Sequence, residues 1–414
     1  MKAHSFLKTL GPGLLWAAAA VGVSHLVQST RAGADFGFEL VWLVILANLF
    51  KYPFFEFGPR YAAATGESLV HGYNRSGKWA VALYALITVS TMFILMAAIT
   101  AVTAGLFENV FRLGFNTFQW SIVILISGAV IVGFRKYSTI DRIVKVIIVI
   151  LSVSAVVAVI AAASQGFDPQ PEYSKHFSFT GNIVFLLALA GWMPSAIDIS
   201  VWHSAWTMAK AKETGQKPKL KEALVDFNIG YIGTAVLSLI FLSLGALVMY
   251  GKPEVFSDKG ADFAGQLIEL FTRNLGSYAW YIIAPAALAT MVSTALTCLD
   301  AYPRVLEPAT KLLFAKKNIN TESKYLQLFW LLLLTGGTIT VFAFFMNSMT
   351  EMVDFATVLF FITAPVLGFL NLRAVTGKNM PEGTRPKLWL IMLSILGLIV
   401  LTGFSIYYLY VLFL

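Results

Sequence analysis

An apolar segment long enough to cross a bilayer contains residues that break helices or carry charge. Residues 190–206 hold Gly191, Pro194, Asp198 and His203. Glycine adds backbone freedom and proline removes an N–H donor, so both weaken a helix. In lipid, a broken helix is tolerated only where its freed N–H and C=O groups meet protein, water or a solute. A buried acid usually marks a transport pathway or a partner charge, and we therefore expect the functional site here.

A second apolar segment, near the N-terminus, is interrupted at an equivalent depth. Residues 12–34 contain Gly22, Ser24 and His25 close to the middle of the crossing. The two segments are five predicted spans apart, so they cross the membrane in opposite directions. Interrupted helices at corresponding places in two halves are typical of inverted-repeat secondary transporters.

The composition excludes a soluble protein. Of the 414 residues, 58% are apolar and 13% are charged, with a mean hydropathy of +0.75, whereas soluble domains are about 25% charged. The only cysteine, Cys298, excludes an intramolecular disulfide and a cysteine-rich metal site. We predict no removable signal peptide and no second globular domain.

Eleven membrane-spanning helices are predicted from the apolar segments. They lie near residues 12–34, 38–62, 79–107, 117–134, 142–164, 179–209, 223–250, 277–303, 325–346, 350–373 and 387–413. Each approaches the ~20 apolar residues that a crossing needs. The prediction is an all-α, single polytopic membrane domain over residues 1–414. Spans 1–5 (about 12–164) and 6–10 (about 179–373) form the two repeats, and span 11 (about 387–413) is an extra helix.

The distribution of basic residues predicts the orientation. With the N-terminus in the cytoplasm, 23 of the 30 lysines and arginines lie at cytoplasmic ends and loops. The positive-inside rule then places the C-terminus outside, in a plasma or inner cell membrane. The net charge of +8 therefore reflects topology, and we expect no nucleic-acid partner.

Several motifs resemble the Nramp (natural resistance-associated macrophage protein) family of divalent-metal transporters, which have the LeuT-type fold. Gly-Pro-Gly at 11–13 opens span 1, Ala-Gly-Ala-Asp-Phe-Gly at 32–37 closes it, and Met193-Pro194 lies in span 6. The similarity covers most of the chain. It implies a 5+5 inverted repeat with spans 1 and 6 interrupted, and alternating access around a site at the two breaks.

The chain departs from that family at three places. The family's span 1 metal motif, Asp-Pro-Gly-Asn, is Gly-Val-Ser-His at 22–25, so the ligating aspartate and asparagine are replaced. The family's Met-Pro-His is Met-Pro-Ser at 193–195. Only Met193 and the backbone carbonyl near Ala190 match the family's ligands. Span 3, which carries acidic proton-pathway residues in the family, has no acid between positions 79 and 107.

We predict a substrate site formed by Gly22, Ser24, His25, Gln28, Ala190, Met193, Ser195 and Asp198. If a metal binds, His25, Met193 and Asp198 are its ligands, and they favour Mn²⁺-like or softer ions over Ca²⁺. Structural alternatives stay open for each of these three. Asp198 can form a capping box with Ser195, His25 can satisfy a freed carbonyl, and Met193 can be core packing.

The coupling ion is predicted from span 8. Sodium prefers hard oxygen ligands, and a broken span 1 supplies free carbonyls. In sodium-coupled members of the resembled fold, span 8 hydroxyls complete such a site. We predict Val21, Thr294 and Thr297 as the ligands, since the two threonines are three apart on one helix face. Lys51 or a protonated His25 could replace the ion, and the coupling ion is then a proton or absent.

Helical spacing predicts further contacts. Three i,i+4 ion pairs are expected, Arg31 with Asp35, Glu56 with Arg60, and Asp300 with Arg304. Lys51 then needs a partner from another helix. The loop at 251–276 has helical periodicity and is expected to cover the outer surface or to act as a gate.

Three functions compete at this point. The first is secondary transport of a divalent metal. The second is transport of a small cationic or zwitterionic organic solute, for which Trp192, Trp202 and Trp206 could enclose an ammonium group. The third, a membrane-embedded enzyme, lacks any HExxH, paired-acid or GxSxG pattern. We expect no cofactor, and a protein that works as a monomer in the lipid bilayer.

Overall fold

The computed structural model describes residues 11–134, 137–314, 323–345 and 348–413. These residues form helices joined by short loops, with no strand among them. The chain is therefore an all-α, multi-pass membrane protein, as predicted. Some basic residues counted for the topology lie outside the described residues, namely Lys2, Lys8, Arg135, Lys136, Lys316 and Lys317.

Each predicted span coincides with a helix or with a broken pair of helices. Spans 2–5 are Val41–Thr65, Lys78–Phe111, Thr117–Phe134 and Tyr137–Ser164, and spans 7–11 are Leu220–Val248, Trp280–Phe314, Lys324–Phe345, Met349–Thr376 and Leu388–Phe413. Among the described residues, 8 helices are long and apolar enough to cross a membrane. Spans 1, 5 and 6 are not among those eight, so the count of eleven crossings stays a prediction.

Spans 1 and 6 are interrupted, as the sequence predicts. Span 1 consists of Pro12–Ala20, a π-helical turn Ser24–Ser29 and Thr30–Phe36. Span 6 consists of Ile183–Gly191 and Ile199–Thr214. The break in span 6 includes Pro194, which has no N–H to continue a helix.

The two broken spans are packed inside the bundle. The first half of span 6 lies against span 10 and its second half against span 2, while span 7 packs along both halves of span 1. Span 3 packs along span 8 on another side of the breaks. Because protein surrounds both breaks, their free backbone groups can be satisfied without lipid contact.

The 251–276 loop contains a helix, Gly260–Leu275, as its periodicity predicts. Its apolar side, including Phe263, Leu267 and Phe271, is buried. The helix packs against span 3, and the Asp258 carbonyl just before it accepts a hydrogen bond from Met349 N at 3.1 Å. The helix is thus attached to the start of span 10.

Candidate functional site at the breaks of spans 1 and 6

A small cavity lies between the two breaks. Four spans line it, through Ala20 and Ser24 of span 1, Leu95 of span 3, Trp192 and Ser195 of span 6, and Thr294 of span 8. Three of these residues, Ser24, Ser195 and Thr294, belong to the predicted substrate and coupling-ion sites. The structure therefore brings residues from both predictions to one place.

Lys51 of span 2 occupies the break in span 6. Its Nζ donates to the carbonyls of Ala190 at 2.7 Å, Gly191 at 2.7 Å and Ser195 at 3.1 Å. The side chain is fully buried. Ala190 and Gly191 end the first half-helix, so their carbonyls lie beyond its regular hydrogen bonds, and Ala190 O accepts a long bond of 3.4 Å from Met193 N. Lys51 supplies the missing donors.

Glu56 pairs with Arg60, as predicted. Two Nε–carboxylate bonds of 3.0 and 2.8 Å join them within span 2. Lys51 accordingly has no share in that pair, which leaves its ammonium free to bond the break in span 6.

Gly191 allows span 10 to approach the break. A Cβ atom at Gly191 would lie 2.1 Å from the Thr357 carbonyl oxygen. Real side chains do not tolerate such a contact, and the obstacle is backbone. Glycine is therefore required here for packing as well as for the helix end.

Asp198 has a buried carboxylate without a hydrogen-bond partner in the described part of the chain. It occupies the N-cap position of the helix Ile199–Thr214, but its side chain makes no capping bond. The capping box with Ser195, one of the two alternatives for Asp198, is therefore not formed. The Ser195 carbonyl instead faces Lys51. Asp198 still lies at a helix N-terminus, whose dipole favours a negative charge.

Polar side chains from three other spans surround Asp198. The Lys51 ammonium of span 2 attracts its carboxylate, and Tyr84 of span 3 and Tyr302 of span 8 lie in the same buried region. Within the described ranges, the hydroxyls of Tyr84 and Tyr302 have no hydrogen-bond partner either. Buried polar groups normally have partners, so these oxygens are candidate contacts for water or a bound solute.

Thr294 brings span 8 to the carbonyls of span 1. Its Oγ1 lies 3.2 Å from Ala18 O, 3.3 Å from Val21 O and 3.0 Å from Thr290 O. The approach depends on Gly22, because a Cβ there would lie 2.9 Å from Thr294 Oγ1. Gly22 stands where the resembled motif has an aspartate. The space that a side chain at position 22 would take is occupied by Thr294.

The hydroxyls of Thr297 and Ser293, which lie near Thr294 in span 8, differ in their hydrogen bonding. Thr297 Oγ1 donates to Thr294 O at 2.8 Å, within its own helix, and has no bond to Val21. Ser293, next to Thr294 in span 8, has a buried hydroxyl with no partner among the residues described. The role of Thr297 as a ligand stays a prediction, and Ser293 is the better supported neighbour.

His25 points toward span 7. Its Nε2 lies 2.9 Å from the Thr234 carbonyl, to which it can only donate, and its Nδ1 lies 2.7 Å from Ser24 Oγ. Ser24 Oγ also reaches Ala20 O at 2.7 Å. Both ring nitrogens thus have protein partners, so metal ligation by His25 stays a prediction that requires breaking one of these bonds.

Met193 and Gln28 have different partners. Met193 is fully buried, and Ser29 Oγ lies 3.9 Å from its sulfur. Gln28 Nε2 donates to Asp354 of span 10 at 2.8 Å. The thioether is therefore close to span 1, as a shared site requires, while Gln28 belongs to a polar cluster with span 10.

Arg31 pairs with Asp354, at 2.8 and 3.2 Å, and not with Asp35. Asp35 instead accepts from Lys175 at 2.7 Å. The predicted Arg31–Asp35 pair is therefore wrong, because spacing along one helix cannot show a stronger bidentate partner on another span. The predicted Asp300–Arg304 pair is present, at 2.6 Å.

Asp226 and Asn371 were missed by the sequence analysis. The Asp226 carboxylate accepts from Gly11 N at 3.2 Å and Gly13 N at 2.6 Å, which anchors the start of span 1 to span 7. Asn371 of span 10 donates to Phe54 O at 3.0 Å. An acid inside a predicted span was the available signal for Asp226.

Two arrangements expected for particular substrates are not formed. Among the residues described, no three His, Cys, Asp or Glu side chains are grouped to hold a metal. The three tryptophans do not form one cage either, since Trp192 packs on Phe360 and Trp206 Nε1 donates to Asp300 at 3.0 Å. A metal would have to use carbonyl or thioether ligands.

Sequence comparisons identify relatives along nearly the whole chain. The profile of the family described as natural resistance-associated macrophage protein-like matches residues 13–411. An uncharacterized protein of Pasteurella multocida is 35% identical over 408 residues, covering 97% of this chain and 92% of that protein.

Solved transporter structures share the fold. A manganese transporter of Eremococcus coleocola, crystallised with an aromatic bis-isothiourea compound, superposes with a TM-score of 0.73 at 13% identity, over 97% of this chain and 86% of that one. MhsT, solved in complex with L-phenylalanine, gives a TM-score of 0.61 at 16% identity, over 97% and 98% of the two chains. At such low identity these matches define the fold alone.

Proposed function

This chain belongs to the Nramp family, and we propose that its substrate is a divalent metal ion. It is a secondary transporter with the LeuT-type fold, and not an enzyme. The structural neighbour from Eremococcus coleocola is a manganese transporter, so Mn²⁺ is the first ion to test. Transport would proceed by alternating access around the two breaks.

The observation that carries this proposal is the set of atoms at the span 6 break that can bind a metal ion. The Ala190 carbonyl, the Met193 thioether and the unpaired Asp198 carboxylate all belong to one nine-residue stretch next to the cavity. A carbonyl and a carboxylate suit Mn²⁺, and a thioether adds preference for softer ions over Ca²⁺. The absence of a partner for Asp198 supports a role in binding charge.

We propose sodium as the coupling ion, at Ala18, Val21, Thr290, Ser293 and Thr294. One hydroxyl hydrogen on Thr294 can serve only one of the three carbonyls around it. A cation would satisfy the others and use the same hydroxyl as a ligand. The lack of an acid between positions 79 and 107 supports this route over protons.

A matched pair of variants tests the sodium site. Thr294→Ala should raise the sodium concentration for half-maximal uptake about tenfold, because one ligand is lost. Thr338→Ala in span 9 serves as the control, since its buried hydroxyl donates to Leu334 O of its own helix at 2.7 Å and belongs to neither predicted site. Equal sodium requirements in both variants would exclude the site.

We propose that the protein works as a monomer in the cell membrane, with its N-terminus in the cytoplasm. The charge distribution supports this orientation. Cysteine introduced at Lys259 should react with an impermeant reagent from outside, and cysteine at Lys217 from inside. The reverse pattern would reject the topology.

The organic-solute function remains the second candidate, favoured by two observations. Lys51 already bonds the Ala190 carbonyl, and Gly22 replaces the acid of the resembled motif. Purified protein in proteoliposomes decides between the candidates. Saturable Mn²⁺ uptake, inhibited by other transition metals, supports metal transport. No uptake of any divalent ion, with uptake of a cationic or zwitterionic solute, would replace it.

A further inference from the structure

Three backbone carbonyls in the span 6 break bind an ammonium. The carbonyl oxygens of Ala190, Gly191 and Ser195 surround one point, which the Lys51 ammonium occupies at 2.7, 2.7 and 3.1 Å. We call these three oxygens the carbonyl cradle. An ammonium has three N–H donors and no acceptor, so the cradle satisfies all of them.

The backbone makes the cradle attractive to any cation. Ala190 and Gly191 are the last residues of the half-helix Ile183–Gly191, so their carbonyls lie at its C-terminal, negative end. Carbonyl oxygens are also ligands that Mn²⁺ and other hard cations accept. The same oxygens therefore suit an ammonium and a metal ion, but there is space for only one cation among them.

Lys51 has a second place to bond nearby. The Asp198 carboxylate interacts electrostatically with Lys51, yet neither of its oxygens accepts a hydrogen bond from it. A buried charge that leaves one set of partners must find another. The unpaired carboxylate meets that need, because it can accept the ammonium if Lys51 leaves the cradle.

We propose that Lys51 is a tethered cation that competes with the transported cation for the carbonyl cradle. Substrate binding displaces the ammonium from Ala190, Gly191 and Ser195, and the displaced ammonium pairs with one oxygen of the Asp198 carboxylate, which leaves the other oxygen for the metal. When the substrate leaves, Lys51 returns and satisfies the cradle. Lys51 thereby sets the affinity of the site and keeps the empty break stable. This inference rests on the proposed transport of a divalent cation.

A static structural role for Lys51 predicts a different result. If the ammonium only caps the half-helix, its removal lowers stability and leaves Mn²⁺ affinity unchanged or weaker. If it competes, its removal lowers stability in the absence of metal but raises Mn²⁺ affinity. Added Mn²⁺ would then restore stability, because a ligand that binds only the folded state stabilises it.

The test uses Lys51→Gln and Lys51→Met in the full-length protein in detergent. Calorimetric titration with MnCl₂ gives the affinity, and thermal unfolding with and without MnCl₂ gives the stability. Both variants should bind Mn²⁺ at least about tenfold more tightly than the unsubstituted protein and gain more thermal stability from it. Lys51→Arg, which keeps the charge, should not show this gain.

Asn48→Ala is the matched control, because Asn48 lies about one turn earlier in span 2 and its side chain donates to Val44 O of its own helix at 2.8 Å. Its Mn²⁺ affinity should be unchanged. Equal affinity in Lys51→Gln, Lys51→Met and the unsubstituted protein would overturn the competition while metal transport stands. Failure of both variants to fold even with Mn²⁺ would make Lys51 a structural cap. No Mn²⁺ binding by any form would overturn both proposals.

Discussion

The breaks in spans 1 and 6 are satisfied in different ways. At span 1, the carbonyls of Ala18 and Val21 share the neutral hydroxyl of Thr294, at 3.2 and 3.3 Å. At span 6, the carbonyls of Ala190 and Gly191 each receive an ammonium N–H from Lys51, at 2.7 Å. One break therefore has more acceptors than donors, and the other is fully satisfied by a charge.

Because of this difference, we expect the two breaks to bind cations differently. A small cation from solution can enter the span 1 break without displacing any charged group. A cation entering the span 6 break has to displace Lys51. Our proposal therefore places the coupling-ion site at the span 1 break and the substrate site at the span 6 break, and the following variants test that division.

Gly191→Ala should have the largest effect. Its Cβ would lie 2.1 Å from the Thr357 carbonyl oxygen, so span 10 has to move. We expect a loss of about 3 kcal/mol or more in unfolding free energy, measured by denaturation in detergent. Gly233→Ala in span 7, where nothing lies within 4 Å, is the control and should not be destabilised. Equal stability of the two variants would contradict the close approach of span 10.

Asp198→Asn should abolish transport while the fold is kept. Asparagine has the same shape and suits a helix N-cap, so stability should change by less than about 1 kcal/mol. Mn²⁺ uptake should fall at least about tenfold, because the charge that balances the cations is removed. Unchanged uptake by a folded variant would leave Asp198 without a role in transport.

Gly22→Ala should have the smallest effect of the three. The new Cβ would meet Thr294 Cγ2 and Oγ1, each at 2.9 Å, and a side chain moves more easily than backbone. We expect a loss of about 1 kcal/mol in stability, together with a higher sodium requirement. A larger loss of stability than in Gly191→Ala would reverse the comparison between the breaks.

The sequence was sufficient to predict the helices and their breaks, but not the contacts between side chains on different helices. Gly191 and Pro194 predict the break in span 6 because their effects on a helix are local. The spacing of Glu56 and Arg60 predicts their pair for the same reason. Lys51, in contrast, could only be assigned an unknown partner. Its acceptors are backbone carbonyls about 140 positions away, and backbone oxygens have no signature in a sequence.

Arg31 also has a partner that its sequence neighbours do not reveal. The rule for i,i+4 pairs gave Asp35, yet span 10 brings Asp354 within 2.8 Å of the guanidinium. Asp198 shows a further limit. Its spacing from Ser195 allowed a capping box as one alternative, but the Ser195 carbonyl faces Lys51, and among the described residues the carboxylate has no hydrogen-bond partner.

The most direct measurement is Mn²⁺ uptake into proteoliposomes under an imposed inward sodium gradient. The account predicts saturable uptake that the gradient drives above equilibrium and that falls when choline replaces sodium. Undiminished uptake in choline would contradict the span 1 break as a sodium site. No Mn²⁺ uptake under either condition would contradict the central claim that the two breaks form a cation-coupled metal pathway.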